Sequence, residues 1–385
     1  MNIFKSKDVV LICGNHTNAH TIVRNLPIIG FDGKVIIIRN EADPALVAER
    51  LNFNIELWKL SLEESENLPQ LISDRFGQIE GNVYICFTNE RYFHSFADWR
   101  REHRGDNMIF NFGEIDQITT ILDRDLFYRF IADRQLAAVP KTISGLEDPF
   151  EVFGDAFVIR PKETWQNSNQ REHVKLVYDR ESFDNAASIY ASRGVSGEEL
   201  CFQEMLSIKN ESNVSVAGWF DLNNQHLYCL RKRFQHPPGI GSGDVCELID
   251  PPDGMMASAV AILTALKYKG PLEMEFVFDL NSNEYKVIEM NPRFWMQHGL
   301  LDVVSGRALI SRNLNKEPLA VTPSQANKKY WVNTVQCLYH VLKFSFKPLG
   351  YYFRTDSWAP YSIFQAMWYA PLHVISKMRA TKWRT

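Results

Sequence analysis

Three short runs near the N-terminus are apolar almost without interruption: DVVLICG from Asp8, KVIIIRN from Lys34 and NVYICFTN from Asn82. Strands buried on both faces read this way, as they do in a parallel sheet. Asn15 to Asn25 has a helical pattern that stops near Pro27, so strands alternate with helical stretches over 1–112 and an α/β domain is expected there. From about 113 the pattern changes. An amphipathic helix starts at Asp123 and cannot pass Pro140, and a strand from Ala156 to Ile159 runs into Arg160-Pro161-Lys162. Leu200 to Leu206 is another apolar strand, and Val214–Phe220 with His226–Arg231 reads as a hairpin across Asn223-Asn224. A helix from Met255 to Leu266 precedes a second hairpin, Met274–Leu280 with Glu284–Met290, around Asn281-Ser282-Asn283. From about 321 the chain is rich in Trp, Tyr and Phe and ends in a basic cluster that includes Lys377, Arg379, Lys382 and Arg384. Pro360 to Met378 fits an amphipathic helix, which either packs back on the rest of the chain or docks on a membrane surface or a partner.

The second hairpin carries chemistry. Residues two apart on a strand share a face, so Glu289, Asn291 and Arg293 project together. If the loop centres on Ser282, Glu275 lies opposite Glu289 and Glu273 opposite Asn291, while Met274, Phe276, Phe278, Ile288 and Met290 form the apolar reverse. Crowded oxygen-bearing side chains repel unless a cation sits among them. A carboxylate, an amide oxygen and a guanidinium at alternate positions suit a hard cation that carries phosphate. The bland alternative is a solvated face of ordinary charges. Arg231 and Arg233, two apart on the earlier hairpin, are candidates for a substrate carboxylate, with surface arginines as the alternative. His16 and His20, one helical turn apart, read as packing or surface residues rather than ligands.

Residues 113–318 resemble the ATP-grasp enzymes, nearest to the carbamoyl-phosphate-synthetase-like and carboxylate–amine ligase branches. VIEMNPR resembles their metal segment, which implies Glu275, Glu289 and Asn291 as Mg²⁺ ligands (with Mn²⁺ as a substitute) and Arg293 facing the transferred phosphate. Glu289, Arg160 and Arg293 are then the catalytic set. LDRDLF and FVIRP resemble the segments that place Arg124 and Arg160 on the ATP phosphates, with Lys162 beside them. FQEML resembles the adenine hinge, at Gln203, Glu204, Met205 and Leu206, and Glu211 stands at the ribose spacing. Gly239 to Asp244 resembles a G-x-x-[TS]-G-D turn. Two departures stand out. The segment after Lys162, Glu163 to Gln170, lacks the glycines of the usual phosphate lid, and Phe294-Trp295 are bulkier than the small residues usual after that arginine, through substrate shape or packing.

The resemblance implies an α/β (α+β ATP-grasp) fold. Its expected parts are a parallel-sheet domain at 1–112, an ATP-grasp domain at 113–318 with antiparallel sheets (a small subdomain about 140–203 and a catalytic one about 204–318), and an extension at 319–385. It also implies ATP-dependent joining of a carboxylate, such as an amino acid or sugar acid, to an amine through an acyl phosphate. A carbamoyl- or carboxy-phosphate-forming enzyme and a non-catalytic ATP-binding regulator stay open as alternatives.

Composition narrows the rest. A net charge of −4 gives no electrostatic case for nucleic acid as a partner. The six cysteines are scattered with no C-x-x-C pair, as expected of buried thiols in a reducing compartment. No cleavage-site pattern precedes the first strand, and no run approaches the ~20 apolar residues of a membrane span, so a cytoplasmic protein is expected. Where the aromatic tail does not pack back on the chain, a homodimer or peripheral membrane contact would bury it.

Overall fold

The computed structural model describes residues 4, 7–14, 17–40, 55–61, 64–65, 67–77, 80–93, 96, 107–111, 115–163, 174–236, 242–306, 308–315, 327–342 and 344–367. The first unit is a parallel five-stranded sheet of β1 (Val9–Cys13), β2 (Lys34–Asn40), β3 (Ile55–Leu60), β4 (Val83–Phe87) and β5 (Met108–Phe110), in the order β3-β2-β1-β4-β5. Central β1 and β4 are buried at every position, which is why their sequences show no polar alternation. The helix Thr17–Asn25 follows β1 and buries seven of its nine residues.

Asp123 then caps the helix Arg124–Asp133, its side chain accepting from Leu126 N at 3.0 Å. Four antiparallel strands follow: β6 (Thr142–Ser144), β7 (Phe157–Pro161), β8 (Lys175–Val177) and β9 (Leu200–Glu204), in the order β6-β9-β7-β8. Phe157, Ile159 and Phe202 form their core with Tyr190 of the helix Arg180–Ala191.

A larger sheet carries the hairpins. It contains β10 (Asn213–Asp221), β11 (Asn224–His236), β12 (Ser242–Ile249), β13 (Gly270–Asp279), β14 (Glu284–Asn291), β15 (Tyr330–Val332) and β16 (Ser357–Trp358), in the order β14-β13-β10-β11-β12-β15-β16. On one face Val214, Val216, Met274 and Phe276 share a core with the helix Met255–Ala265 and with Phe127 and Ile131. On the other, Ala217, Trp219, Leu230 and Trp331 share a core with Trp295, Leu300 and the helix Thr17–Asn25. Both cores run on into the parallel sheet. The aromatic segment beyond 319 is part of this architecture: it supplies β15 and β16. The helix expected at 360–378 is helical from Ile363 to Met367, and the remainder, with the basic cluster, lies outside the described residues. Among the described residues, no helix is long and apolar enough to cross a membrane.

The second hairpin differs from its expectation at one residue. The loop joins Asp279 to Glu284, and a register shift between the Glu275–Glu289 and Phe276–Val287 pairs leaves Ile288 bulged out of the ladder. Val287 therefore takes the core position assigned above to Ile288. The extra residue restores the pairing of Glu275 with Glu289 and of Glu273 with Asn291.

Candidate active site

The hairpin places Glu273 and Glu275 of β13 opposite Asn291 and Glu289 of β14. The neighbouring strand β10 sets Ser215 across from Glu275, and Leu230 of β11 pairs with Ser215. Two residues on, Lys232 rises from the same face. Its Nζ donates to Glu275 Oε2 at 2.5 Å, and its side chain is only 5% exposed. Three carboxylates and one ammonium are thus packed on one sheet surface.

Two arginines reach this surface from elsewhere. Arg124 is the first residue of its helix, and Arg160 lies on β7. Nη2 of each stands 3.5 Å from the same oxygen, Glu289 Oε2. Arg124 Nη1 also donates to Pro161 O at 3.0 Å, and Arg160 Nη1 to Gln203 Oε1 at 3.4 Å. Both side chains are buried, and neither Nε atom has a hydrogen-bond partner among the described residues. One carboxylate faces two guanidiniums, and buried charge left uncompensated is costly. The pair is therefore suited to receive a further anion. Arg293, just past β14, donates through Nε to Glu90 Oε1 at 3.0 Å and through Nη2 to Asn291 Oδ1 at 3.2 Å.

The charges tune one another. Burial and the neighbouring Glu275 push the Glu273 carboxyl up to about 7. Burial also raises Glu275, against the pull of Lys232. Burial acts the same way on Glu289, but Arg124 and Arg160 outweigh it and hold that group below the usual carboxylate range. Desolvation alone would lower the Lys232 ammonium, yet Glu275 and Glu273 keep it well above an ordinary lysine.

Among the described residues, no three His, Cys, Asp or Glu side chains converge tightly enough to hold a metal ion. Each expected ligand is instead engaged by a cation: Glu275 by Lys232, Glu289 by Arg124 and Arg160, Asn291 by Arg293. The donor chemistry nonetheless fits a hard cation, since Glu275 of β13 and Glu289 and Asn291 of β14 offer oxygen ligands from one face of the sheet. The unpartnered Nε atoms of Arg124 and Arg160 fit an anion that would relieve Glu289.

The other expected residues are spread more widely. Lys162 follows β7, and its ammonium makes no ion pair among the described residues. Gln203 links Arg160 to Thr142 through its side-chain amide. Glu204 Oε1 accepts from Lys286 Nζ at 2.7 Å and from Lys141 N at 2.8 Å. Beyond it, the backbones of Met205 and Leu206 make no protein hydrogen bond among the described residues. Glu211 is not brought to the arginine pair; its carboxylate holds Arg233, which also holds Glu247. Arg231 and Arg233, the candidates for a substrate carboxylate, flank Lys232 on β11. Lys232 between them takes the acidic face, alternation turns Arg231 away, and Arg233 is committed to two carboxylates. Phe294 and Trp295 are fully buried in a core, so their bulk serves packing. His20 is likewise buried, with Nε2 3.2 Å from Pro360 O. His16, residues 164–170 of the glycine-free segment, and Gly239 to Gly241 lie outside the described residues.

Sequence reasoning missed Lys232 and Glu90, although both left a signal. Lys232 follows Leu230 by two on an alternating strand, so it shares the face that meets Glu275. Glu90 stands just past the C-terminal end of β4, where open parallel sheets place their ligand-facing residues.

Two antiparallel sheets that meet over an arginine–carboxylate cluster, beside a parallel-sheet unit, are the architecture of the ATP-grasp fold, which this chain shares with the solved structures named below. Residues 251–316 match the family model for the carbamoyl-phosphate synthase L chain, ATP binding domain. The carbamoyl phosphate synthase large chain of Thermoanaerobacter sp. (strain X514) is 27% identical over 202 residues, covering 50% of this chain and 18% of that protein. The chain thus spans less than a fifth of the curated relatives it matches. Among solved structures, the ADP complex of N5-carboxyaminoimidazole synthetase from Staphylococcus aureus superposes with TM-score 0.62 at 14% identity, covering 90% of this chain and 88% of that one. The L-amino acid ligase from Bacillus licheniformis gives 0.59 at 15% identity, covering 82% and 75%.

Proposed function

We propose that the protein is an ATP-dependent ligase that joins a carboxylate to an amine through an acyl phosphate, releasing ADP and phosphate. The observation that carries this reading is the pair of buried guanidiniums converging on Glu289 of the hairpin. Arg124 and Arg160 neutralise the nucleotide phosphates, with Lys162 beside them. The unengaged backbone groups of Met205 and Leu206 supply the donor and acceptor that an adenine edge needs. Mg²⁺ held by Glu275, Glu289 and Asn291 would supply Lewis-acid stabilisation of the transferring phosphoryl group. A substrate carboxylate oxygen attacks the γ-phosphorus, and the bond to the ADP oxygen breaks. The amine then adds to the acyl carbon and loses a proton, and the phosphate leaves. Arg293, steadied by Glu90, meets charge developing on the transferred group. Lys232, which holds Glu275 on the same face, would add positive charge beside the transferred group. The likeness to an L-amino acid ligase supports an amino acid as the carboxylate.

The test is Mg²⁺-dependent ADP release with pooled carboxylic acids and hydroxylamine, with Glu289→Gln run beside the wild type. Hydroxamate and ADP from the wild type alone support the reading, whereas an active Glu289→Gln protein sinks the assignment. The match of 251–316 to a carbamoyl-phosphate synthase model favours a second reading, activation of bicarbonate to carboxy phosphate. Under it, ADP release depends on bicarbonate without any organic acid.

A further inference from the structure

A cavity of about 570 Å³ opens beside the helix Thr17–Asn25, which lines it with His20 and Arg24. Its walls come from that helix and from residues 328 and 352–365, and it shares no residue with the arginine–carboxylate cluster. The volume is that of a small-metabolite site. None of its lining residues is an aspartate or a glutamate, whereas Arg24, Lys328 and Arg354 all line it.

The polar partners of these groups matter. Arg354 is neutralised by Asp356, which it holds through two nitrogens at 2.9 and 3.0 Å. Among the described residues, Arg24 and Lys328 have no carboxylate partner: Arg24 Nη1 donates to Pro360 O at 2.8 Å and its guanidinium lies 5.9 Å from the Trp358 ring centroid, and Lys328 Nζ donates to Thr355 O at 2.6 Å. Two positive charges therefore remain in the lining. The neutral groups point the same way. Tyr352 Oη already accepts from Ile363 N, Ser362 Oγ from Gln365 N, and Gln365 Oε1 from Ser362 N. Each of these oxygens already accepts one backbone proton, and each group keeps a hydroxyl or amide proton that it can offer to a ligand. Beneath them, the His20 ring packs on Tyr361 at 4.6 Å between centroids.

A cavity with two uncompensated cations, spare donors and no lining carboxylate is built for a dianion. A phosphate monoester carries about −1.5 to −2 charges at neutral pH and three acceptor oxygens. We propose that this cavity binds a small phosphate-monoester metabolite, separately from the nucleotide site.

Calorimetric titration tests this on the full chain held in saturating Mg²⁺ and a non-hydrolysable ATP analogue, so that the arginine pair is unavailable to the probe. The probes are ribose 5-phosphate, inorganic phosphate, ribose and succinate. Saturable binding of ribose 5-phosphate that weakens by about tenfold or more in both Arg24→Gln and Lys328→Gln supports the site, the scale expected for loss of a charge-assisted contact. Both variants must keep the wild-type melting temperature and analogue affinity, which separates loss of the site from loss of the fold. Equal binding of inorganic phosphate narrows the ligand to phosphate itself and overturns the monoester, and a preference for succinate overturns phosphate. No saturable binding, or binding that neither substitution weakens, removes the proposal. Failure of the analogue to bind counts against the proposed ligase activity alone: the titrations are then run without it, and weakening by Arg24→Gln and Lys328→Gln at an unchanged melting temperature still reports this cavity.

Discussion

Lys232 holds the acidic face together in the absence of a cation. Replacing it by Met leaves Glu273 and Glu275 buried beside each other without their ammonium. Loss of one partner of a buried pair costs about 3–5 kcal/mol. Lys232→Met should therefore unfold at distinctly lower urea, and the Lys232→Met/Glu275→Gln double variant should recover part of the loss. Urea titrations of the three proteins check this. Glu289→Gln keeps its shape and its hydrogen-bonding capacity, so the fold should survive, while ADP formation falls by about 100-fold or more through loss of charge at the phosphoryl centre. Circular dichroism and an ADP assay separate the two effects. His20 supplies a pH signature. Burial and nearby Arg24 lower its pKa to about 4. The unfolded chain then takes up a proton that the folded chain refuses, so the contribution of His20 is intact above about pH 6.5 and declines as pH falls toward 4. Between pH 7 and pH 5 the wild type should lose about 2 kcal/mol more stability than His20→Gln. Equal losses in parallel denaturation curves would refute the assignment.

At the scale of elements, the hairpin shows what was legible in the sequence and what was not. Two carboxylates two apart on one strand, and a carboxylate and an amide two apart on the next, betray their shared face through alternation alone. The bulge at Ile288 escaped because it exchanges one apolar residue for another, Val287 for Ile288, and leaves the pairing at the chemical end unchanged. Lys232 was hidden by its neighbours: three basic residues in a row draw the eye to the spaced arginines, while the strand turns the middle one inward. The N-terminal strands were legible because a buried parallel sheet has an apolar pattern that few other structures share. The approach of separate elements has no such local trace. A Cβ on Gly299 would stand 2.4 Å from the Trp358 ring and 2.6 Å from Thr21 Cγ2, so the helix His298–Ser305 meets both β16 and the helix Thr17–Asn25 through that missing side chain. Gly299→Ala should destabilise the protein by about 1–3 kcal/mol through overpacking, and a shift in melting temperature reports it. An unchanged midpoint would mean that Trp358 is free to move aside.

On the scale of the whole molecule, the site is assembled from distant parts of the chain. Glu90 follows β4 of the parallel sheet, Arg124 opens a helix, Arg160 lies in the four-stranded sheet, and Glu275 and Glu289 belong to the seven-stranded one. A ligand that bridges the arginines and the hairpin ties these units together. Saturating ATP analogue with Mg²⁺ should therefore raise the melting temperature of the wild type and do so much less for an Arg124→Gln/Arg160→Gln double variant. Differential scanning fluorimetry gives the comparison directly. The seven-stranded sheet also has a consequence for how the protein is made. Its strands β12, β15 and β16 are neighbours, yet more than a hundred positions separate Ser242 from Trp358. On the ribosome, Trp219 and Leu230 must wait for Trp331 and Trp358 to emerge before that flank of the sheet is covered. Translation thus passes through a stage in which the acidic hairpin exists beside an open, apolar edge. A nascent chain arrested between residues 300 and 330 is accordingly the stage at which chaperone binding should peak.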